Sequence, residues 1–506
     1  MLPRPLASFV LLILASSQAL AHQTPTKPAV EKPAETKKAA DGLIVTKHKL
    51  KQGATSFEYT ATAGLLPIKD EKGETEAHIF FVAYTRDDQK DATKRPLMFS
   101  FNGGPGSASL WLHLGAVGPK VVEMPDAKSP KPPYRLLDNP ETWLDKTDLV
   151  FIDPVGTGFS RAVKPDLNKK FHSVAGDVKS VGEFIRLYLT RNERWASPLF
   201  IVGESYGTTR AAALSSYLFE NGIALNGVAL ISTVLSFQTL QFDKGNDLPY
   251  VLYLPTYTAS AFYHKKLPAE LSANLKAAID ESRKFAQGEY LQALQKGAAL
   301  SDGERKAVAA KLARLTGLSQ GYVEQNDLRV PIQRFCKELL RDKRLAVGRF
   351  DSRYTGFDIS TIAPTPEFDP SYSAIRPAYT STINDYLRRE LKYETDLPYY
   401  VLGEGVGAWD WALSGRGGYP DVAESLQASL AKNPAMKVYV ASGYYDLATP
   451  FSATEYTLDH VQMTPESRKN VTISEFEAGH MMYLHPASLK KLKKEIGGFI
   501  EGAIAR

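Results

Sequence analysis

Short apolar runs recur along this chain, separated by amphipathic or irregular stretches. They predict strands at Phe57–Ala63, His78–Tyr84, Pro96–Phe101, Asp148–Ile152, Leu199–Val202, Gly227–Ser232, Lys437–Ala441 and Val471–Phe476. Between several of them the period changes to that of a helix, as in Val174–Thr190 and Thr208–Glu220, and Pro486–Ile504 predicts a terminal helix. Apolar strands alternating with helices predict an α/β sheet covered on both faces. No internal repeat breaks this order.

The middle of the chain has a different texture. From about Phe237 to Tyr393 the pattern is helical and irregular. Ser301-Asp302-Gly303-Glu304 is a capping box, and Gly317 stops the helix it opens. This middle is expected to be a cap inserted over the sheet, across 237–395. The core then divides into 43–236 and 396–506. The aromatics of Leu248–Leu267 either line a substrate pocket or pack the cap's own core, and packing is the commoner role.

The first residues carry an address. A short positive start, an apolar run from Leu6 to Ala15 and the small-residue pattern Ala19-Leu20-Ala21 predict a signal peptide over 1–21. Residues 22–42 follow as a flexible leader rich in Pro, Lys and Ala. Cleavage leaves a chain with no apolar run long enough to span a bilayer. The mature protein is therefore expected to be exported, periplasmic or secreted, without a membrane span. A single cysteine, Cys336, allows no internal disulfide, so stability has to come from a large core. The net charge of +5 is spread among both signs, which argues against a nucleic-acid partner.

Candidate chemistry begins at Gly203-Glu204-Ser205-Tyr206-Gly207, placed between a predicted strand and a predicted helix. This is the Gly-x-Ser-x-Gly turn that projects a serine hydroxyl above a sheet. A serine nucleophile needs a base, and the base needs an orienting acid, in the order Ser, acid, His. His480 lies in a loop just beyond strand Val471–Phe476. His460 falls in a helix-like segment and His485 at the start of the last helix. Asp446 follows strand Lys437–Ala441, whereas Asp421 and Asp459 follow no strand. Asn102-Gly103-Gly104-Pro105-Gly106 follows strand Pro96–Phe101. Its glycines let backbone amides approach a ligand, so the Gly104 and Tyr206 amides are the expected oxyanion donors. No Gly-Lys-Ser/Thr accompanies that loop and no His-Glu-x-x-His occurs. Neither a nucleotide, a metal nor any other cofactor is expected.

Four stretches taken together resemble the serine carboxypeptidases: Asn102–Gly106 (NGGPG), Asp153–Ser160 (DPVGTGFS), Gly203–Gly207 (GESYG) and Gly479–Met481 (GHM). The resemblance runs from about Leu43 to the C-terminus. It implies an α/β-hydrolase fold, a mixed sheet flanked by helices with the cap between nucleophile and acid. It implies a Ser205–Asp446–His480 triad and oxyanion donors at Gly104 and Tyr206. It further implies that Asn102, Gly103 and Glu204 hold the substrate's C-terminal carboxylate. A carboxyl facing a carboxylate has to be protonated, which burial and like charge both favour. The chain departs from the family in places. The family's second glutamate falls on Ala116, two of its cysteines fall on Ser107 and Thr449, and Leu484-His485-Pro486 replaces Asp-Gln-Pro.

The reading that follows is a serine carboxypeptidase releasing C-terminal residues from peptides through an acyl-enzyme. An esterase or acyltransferase on the same triad is the alternative, motivated by Ala116, because one fold supports many chemistries. A binding protein that kept the fold without its chemistry is disfavoured by the intact Ser, Asp and His. Arg349-Phe350-Asp351-Ser352-Arg353 reads as a solvated or mutually paired charged face rather than an anion site. The glycosylation pattern Asn470-Val471-Thr472 reads as chance.

Overall fold

The computed structural model describes residues 37–38, 42–53, 55–412 and 418–505. The expected signal peptide, and most of the expected leader, lie outside the described residues. Nine strands make up most of the central sheet: β1 (Ile44–Gln52), β2 (Thr55–Lys69), β3 (Thr75–Arg86), β4 (Leu97–Phe101), β5 (Asp148–Ile152), β6 (Leu199–Glu204), β7 (Gly227–Ile231), β8 (Lys437–Gly443) and β9 (Val471–Phe476). Their spatial order is β1-β2-β3-β5-β4-β6-β7-β8-β9, and two-residue strands at Lys37–Lys38 and Arg161–Ala162 bring the sheet to eleven. The first half, through the β3–β5 pair, is antiparallel. From β5 to β9 every pairing is parallel. This is the mixed sheet of an α/β-hydrolase.

Period-two alternation explains why both faces are covered. On β4, β6 and β7, Phe99, Phe101, Ile201, Val228 and Leu230 point to one side. They meet Val181, Phe184 and Ile185 of α1 (Val174–Arg191) and Ala211, Leu214 and Leu218 of α2 (Tyr206–Glu220). Met98, Phe200, Val202, Ala229 and Ile231 point to the other side. There they meet, among others, Leu492, Ile496 and Ile500 of the C-terminal helix Pro486–Ile504. Strands with two buried faces read as continuous apolar runs, and these do.

Between β7 and β8 the chain leaves the sheet. Helices α3 (Leu248–Tyr263) and α4 (Asp302–Thr316) share an apolar cluster with Phe335, Cys336 and Leu339. Tyr257 stacks on Phe335 with ring centroids 4.0 Å apart, so at least these aromatics of α3 pack the insertion's own core. The capping box at Ser301 and Glu304 forms, and Gly317 closes α4 at a φ of 70°. Helix α5 (Pro370–Arg389) instead sends Ala378, Tyr379, Ile383 and Tyr386 into the cluster on the sheet. No helix among the described residues is long and apolar enough to cross a membrane.

The sheet delivers its loops to one edge. The parallel strands β4, β6, β8 and β9 end at Phe101, Glu204, Gly443 and Phe476, directly before the candidate loops. Gly443 is what lets two of those loops meet: a Cβ there would run into the carbonyl oxygens of Ala478 and Gly479. Backbone cannot turn aside as a side chain can. Gly443→Ala is therefore expected to cost about 1–3 kcal/mol of stability by overpacking, read as a lower denaturant midpoint with an unchanged slope.

Candidate active site

Strand β6 runs two residues beyond the expected Val202, so Gly203 and Glu204 belong to it and both are buried. Ser205 then turns the chain sharply, at φ 60° and ψ −130°. A non-glycine residue in that region is strained by roughly 1–3 kcal/mol and is held there by its surroundings. The holders are visible. The Ser205 amide donates to the Ile231 carbonyl at 3.0 Å. Gly203 has no room for a side chain, because a Cβ would strike the Gly207 carbonyl. Helix α2 begins at the next residue, Tyr206, aiming its N-terminal amides and dipole at the turn.

Asp446 and His480 meet in the loops that follow β8 and β9. His480 Nδ1 lies 2.7 Å from Asp446 Oδ2, and Asp446 is completely buried. The other capacity of the Asp446 carboxylate is filled by Ala448 N–H at 2.8 Å, Thr449 N–H at 2.9 Å and the Thr449 hydroxyl at 2.7 Å. Burial is the largest influence on His480 and lowers its pKa, but the charge and hydrogen bond of Asp446 together with the charge of Glu204 make the net shift upward. The imidazole is also fixed from behind. Its ring stacks on Phe350 with centroids 5.1 Å apart and planes 14° apart. The His480 amide donates to the Phe350 carbonyl at 2.6 Å. The Ser232 hydroxyl donates to the His480 carbonyl at 2.6 Å.

The expected carboxylate-binding residues converge on the other side. Asn102 Nδ2 donates to Glu204 Oε1 at 2.9 Å, while Asn102 Oδ1 accepts from the Leu112 amide at 3.0 Å. The side-chain amide is thereby oriented. Gly103 lies so close to the elbow that a Cβ would collide with the amide nitrogens of Tyr206 and Gly207 and the Glu204 carbonyl. Gly104 follows at φ 102°. Beneath this loop the Asn102 carbonyl accepts from Arg210 Nη1 at 2.7 Å, and Arg210 Nε pairs with buried Asp177 at 2.7 Å. Burial is the main cause that pushes Glu204 up from 4.5 to about 7, and nearby His480, Tyr483 and Asn102 oppose it.

The remaining candidates separate cleanly. His460 is exposed and bonds the Tyr456 carbonyl at 2.7 Å, and His485 bonds Ser488 at 2.9 Å. Arg353 pairs with Asp351 at 2.7 Å, the mutually paired face expected there. Inside that run Phe350 stacks on His480, a contact that sequence reasoning missed. That reasoning also missed Thr449 as a ligand of Asp446. A cavity of about 940 Å³ between α3 and β9 is lined by Leu252, Pro255, Arg283, Tyr444, Glu455 and Glu475, among others, and by no triad candidate. Among the described residues no His, Cys, Asp and Glu cluster could hold a metal ion.

A strained serine on the turn after β6, with an Asp–His pair beyond β8 and β9 of the same sheet, defines the α/β-hydrolase class. Comparison with known proteins narrows it. The serine carboxypeptidase family model matches residues 52–344, more than half of the chain, and the chain belongs to that family. Serine carboxypeptidase-like 20 of Arabidopsis thaliana is 26% identical over 246 residues, which is 42% of this chain and 47% of the relative. Pheromone-processing carboxypeptidase KEX1 of Saccharomyces cerevisiae is 34% identical over 155 residues, 28% of this chain and 20% of the relative. The chain thus spans half or less of the length of these curated relatives. The crystal structure of Kex1(delta)p, a prohormone-processing carboxypeptidase from Saccharomyces cerevisiae, covers 87% of this chain and 91% of its own at a TM-score of 0.52 and 17% identity. That is a likeness of fold. The family match ends inside the insertion, before Asp446 and His480, so those two rest on geometry.

Thr449→Val keeps the shape and removes one donor from a buried carboxylate. It is expected to cost about 1–3 kcal/mol of stability, measured by denaturant unfolding. Thr449→Ser, which keeps the hydroxyl, should recover most of it.

Proposed function

We propose that this protein is a serine carboxypeptidase that removes C-terminal residues from peptides. One observation carries the reading: a buried acid, Glu204, immediately precedes the nucleophile, holds its proton up to about pH 7 and is bonded to Asn102. A neutral carboxyl donates a hydrogen bond to a carboxylate, which an ionised one repels. Toward an amide or ester end the same donor makes only a neutral hydrogen bond, weaker than the charge-assisted one to a carboxylate. Family membership supports the same reading.

Ser205 Oγ attacks the carbonyl carbon of the last peptide bond while His480 Nε2 takes its proton. Asp446 keeps Nδ1 protonated and so exposes Nε2 as the base. The Gly104 and Tyr206 amides receive the oxyanion. The C–N bond then breaks, His480 gives the proton to the departing amine, and a C-terminal amino acid leaves. Water, deprotonated by His480, attacks the ester and returns Ser205. Asn102, Gly103 and Glu204 hold the leaving residue's carboxylate throughout. The chemistry uses no metal or cofactor. Residues 1–21 support export by their positive start, apolar run and small-residue end, and we place the enzyme outside the cytoplasm.

Two titrations of opposite sign follow. His480 has to be neutral, so kcat/KM rises as pH passes its raised pKa. Glu204 has to be protonated, so recognition of a free acid falls as pH passes about 7. A blocked dipeptide with a free carboxylate is expected to give a bell, and its amide and ester only the rising limb. Glu204→Gln donates at every pH and should carry the free-acid preference to higher pH. Equal or better turnover of amide and ester by the wild type, with little effect of Glu204→Gln, would make the protein an esterase or acyltransferase instead.

A further inference from the structure

Three buried polar atoms beside Glu204 lack a hydrogen-bond partner within the protein: Glu204 Oε2, Tyr483 Oη and Tyr379 Oη. Their residues are only 3%, 2% and 0% exposed. They form one group. Tyr483 interacts with both Glu204 and Asn102, and Tyr379 interacts with Glu204 and Tyr483. Both rings close over Gly115. A Cβ there would run into Tyr483 Cε2 and stand 2.7 Å from Tyr379 Oη. The absent side chain of Gly115, next to the small Ala116, leaves the volume that the two phenols fill.

Buried polar atoms are ordinarily paired, because leaving them unpaired is costly. Three of them gathered around a specificity carboxyl suggest a network that closes when substrate enters. Catalytic hydrogen bonds are often long in a free enzyme and tighten in the complex. Phenols suit this place chemically. Tyrosine ionises near pH 10 in water, and burial raises both Tyr379 and Tyr483 further. A phenol therefore donates at any working pH and adds no negative charge near the substrate's own.

We propose that Tyr483 is a positioning residue for substrate-carboxylate recognition. Its hydroxyl donates to Glu204 Oε2, the oxygen that Asn102 does not use, and Tyr379 closes the same corner. Glu204 is then held by donors at both oxygens, with its own proton left for the substrate. The proposal rests on the carboxypeptidase reading above.

The groups facing Glu204 set the expected signs. His480, Tyr483 and Asn102 favour its charged form, Asp446 opposes it, and Tyr379 lies beside it. Removing the Tyr483 hydroxyl takes away a donor to the charged form, so Glu204 keeps its proton to higher pH. For Tyr483→Phe, KM for the free-acid dipeptide is expected to rise about five- to tenfold at pH 5.5. The falling limb of the bell should move up by on the order of half a pH unit. Turnover of the matching ester should change less than that of the free acid, and a cooperative denaturant transition reports that the variant folds. Tyr379→Phe should move both readouts the same way by less. If wild type prefers the free acid but Tyr483→Phe leaves KM and limb in place, the positioning role is wrong and the carboxypeptidase reading survives. A raised KM with an unmoved limb also overturns donation to Glu204. If wild type shows no free-acid preference at all, the functional reading fails first and takes this one with it.

Discussion

Glu204 is the last residue of a strand at the centre of the sheet, opposite Ile231 on one neighbouring strand and next to the glycine that pairs with Phe101 on the other. A carboxyl in that place loses its water, and the loss favours the neutral acid. Much of the surrounding structure follows from having to accommodate it. Asn102 has to be oriented, and it is, by the Leu112 amide. The loop carrying Asn102 has to be anchored, and Arg210 anchors it through the Asn102 carbonyl. Arg210 is itself buried, so it requires Asp177, whose carboxylate also accepts from the Tyr206 hydroxyl at 3.1 Å. The chain of requirements therefore runs from Glu204 back to the helix that follows the turn at Ser205.

Two carboxyls in one site thus live in different surroundings. Asp446 accepts from two amides, a hydroxyl and an imidazole. Glu204 accepts from the Asn102 side-chain amide and otherwise has only the Tyr483 hydroxyl close by. Environments that treat two acids differently are how one site assigns them different tasks. On the proposed reading, one acid orients the base and the other meets the substrate. Glycines make that division possible sterically, because Gly103, Gly203 and Gly443 sit where any side chain would hit backbone.

The parallel half of the sheet was readable because strands buried on both faces are unbroken apolar runs, and the turn motifs sit at their ends. Strand β1 was not foreseen. Along it Lys47, Lys49 and Lys51 alternate with Thr46, His48 and Leu50, so its inward face is itself largely polar and gives no apolar stripe. Strand β6 runs past the expected Val202 and ends on Glu204, a buried acid that a run of apolar residues does not include. Pairings between distant segments left no local signal. Phe350 reaches His480 from a run of alternating charges, and Tyr379 and Tyr483 meet near Gly115 from a helix and from the loop beyond His480. Thr449 could have been weighed, since a hydroxyl three residues after an aspartate in a turn is well placed to cap it.

The central claim is that a neutral carboxyl beside the nucleophile recognises the substrate's C-terminal carboxylate. The most direct measurement is an infrared titration of the protonated carboxyl band, taken as the difference between wild type and Glu204→Gln. The account predicts a band assigned to Glu204 that persists through neutral pH with a midpoint near 7, and that changes frequency when a free-acid product binds but not its amide. A midpoint near the ordinary 4.5 for a glutamate, or a band indifferent to the product's carboxylate, would contradict it.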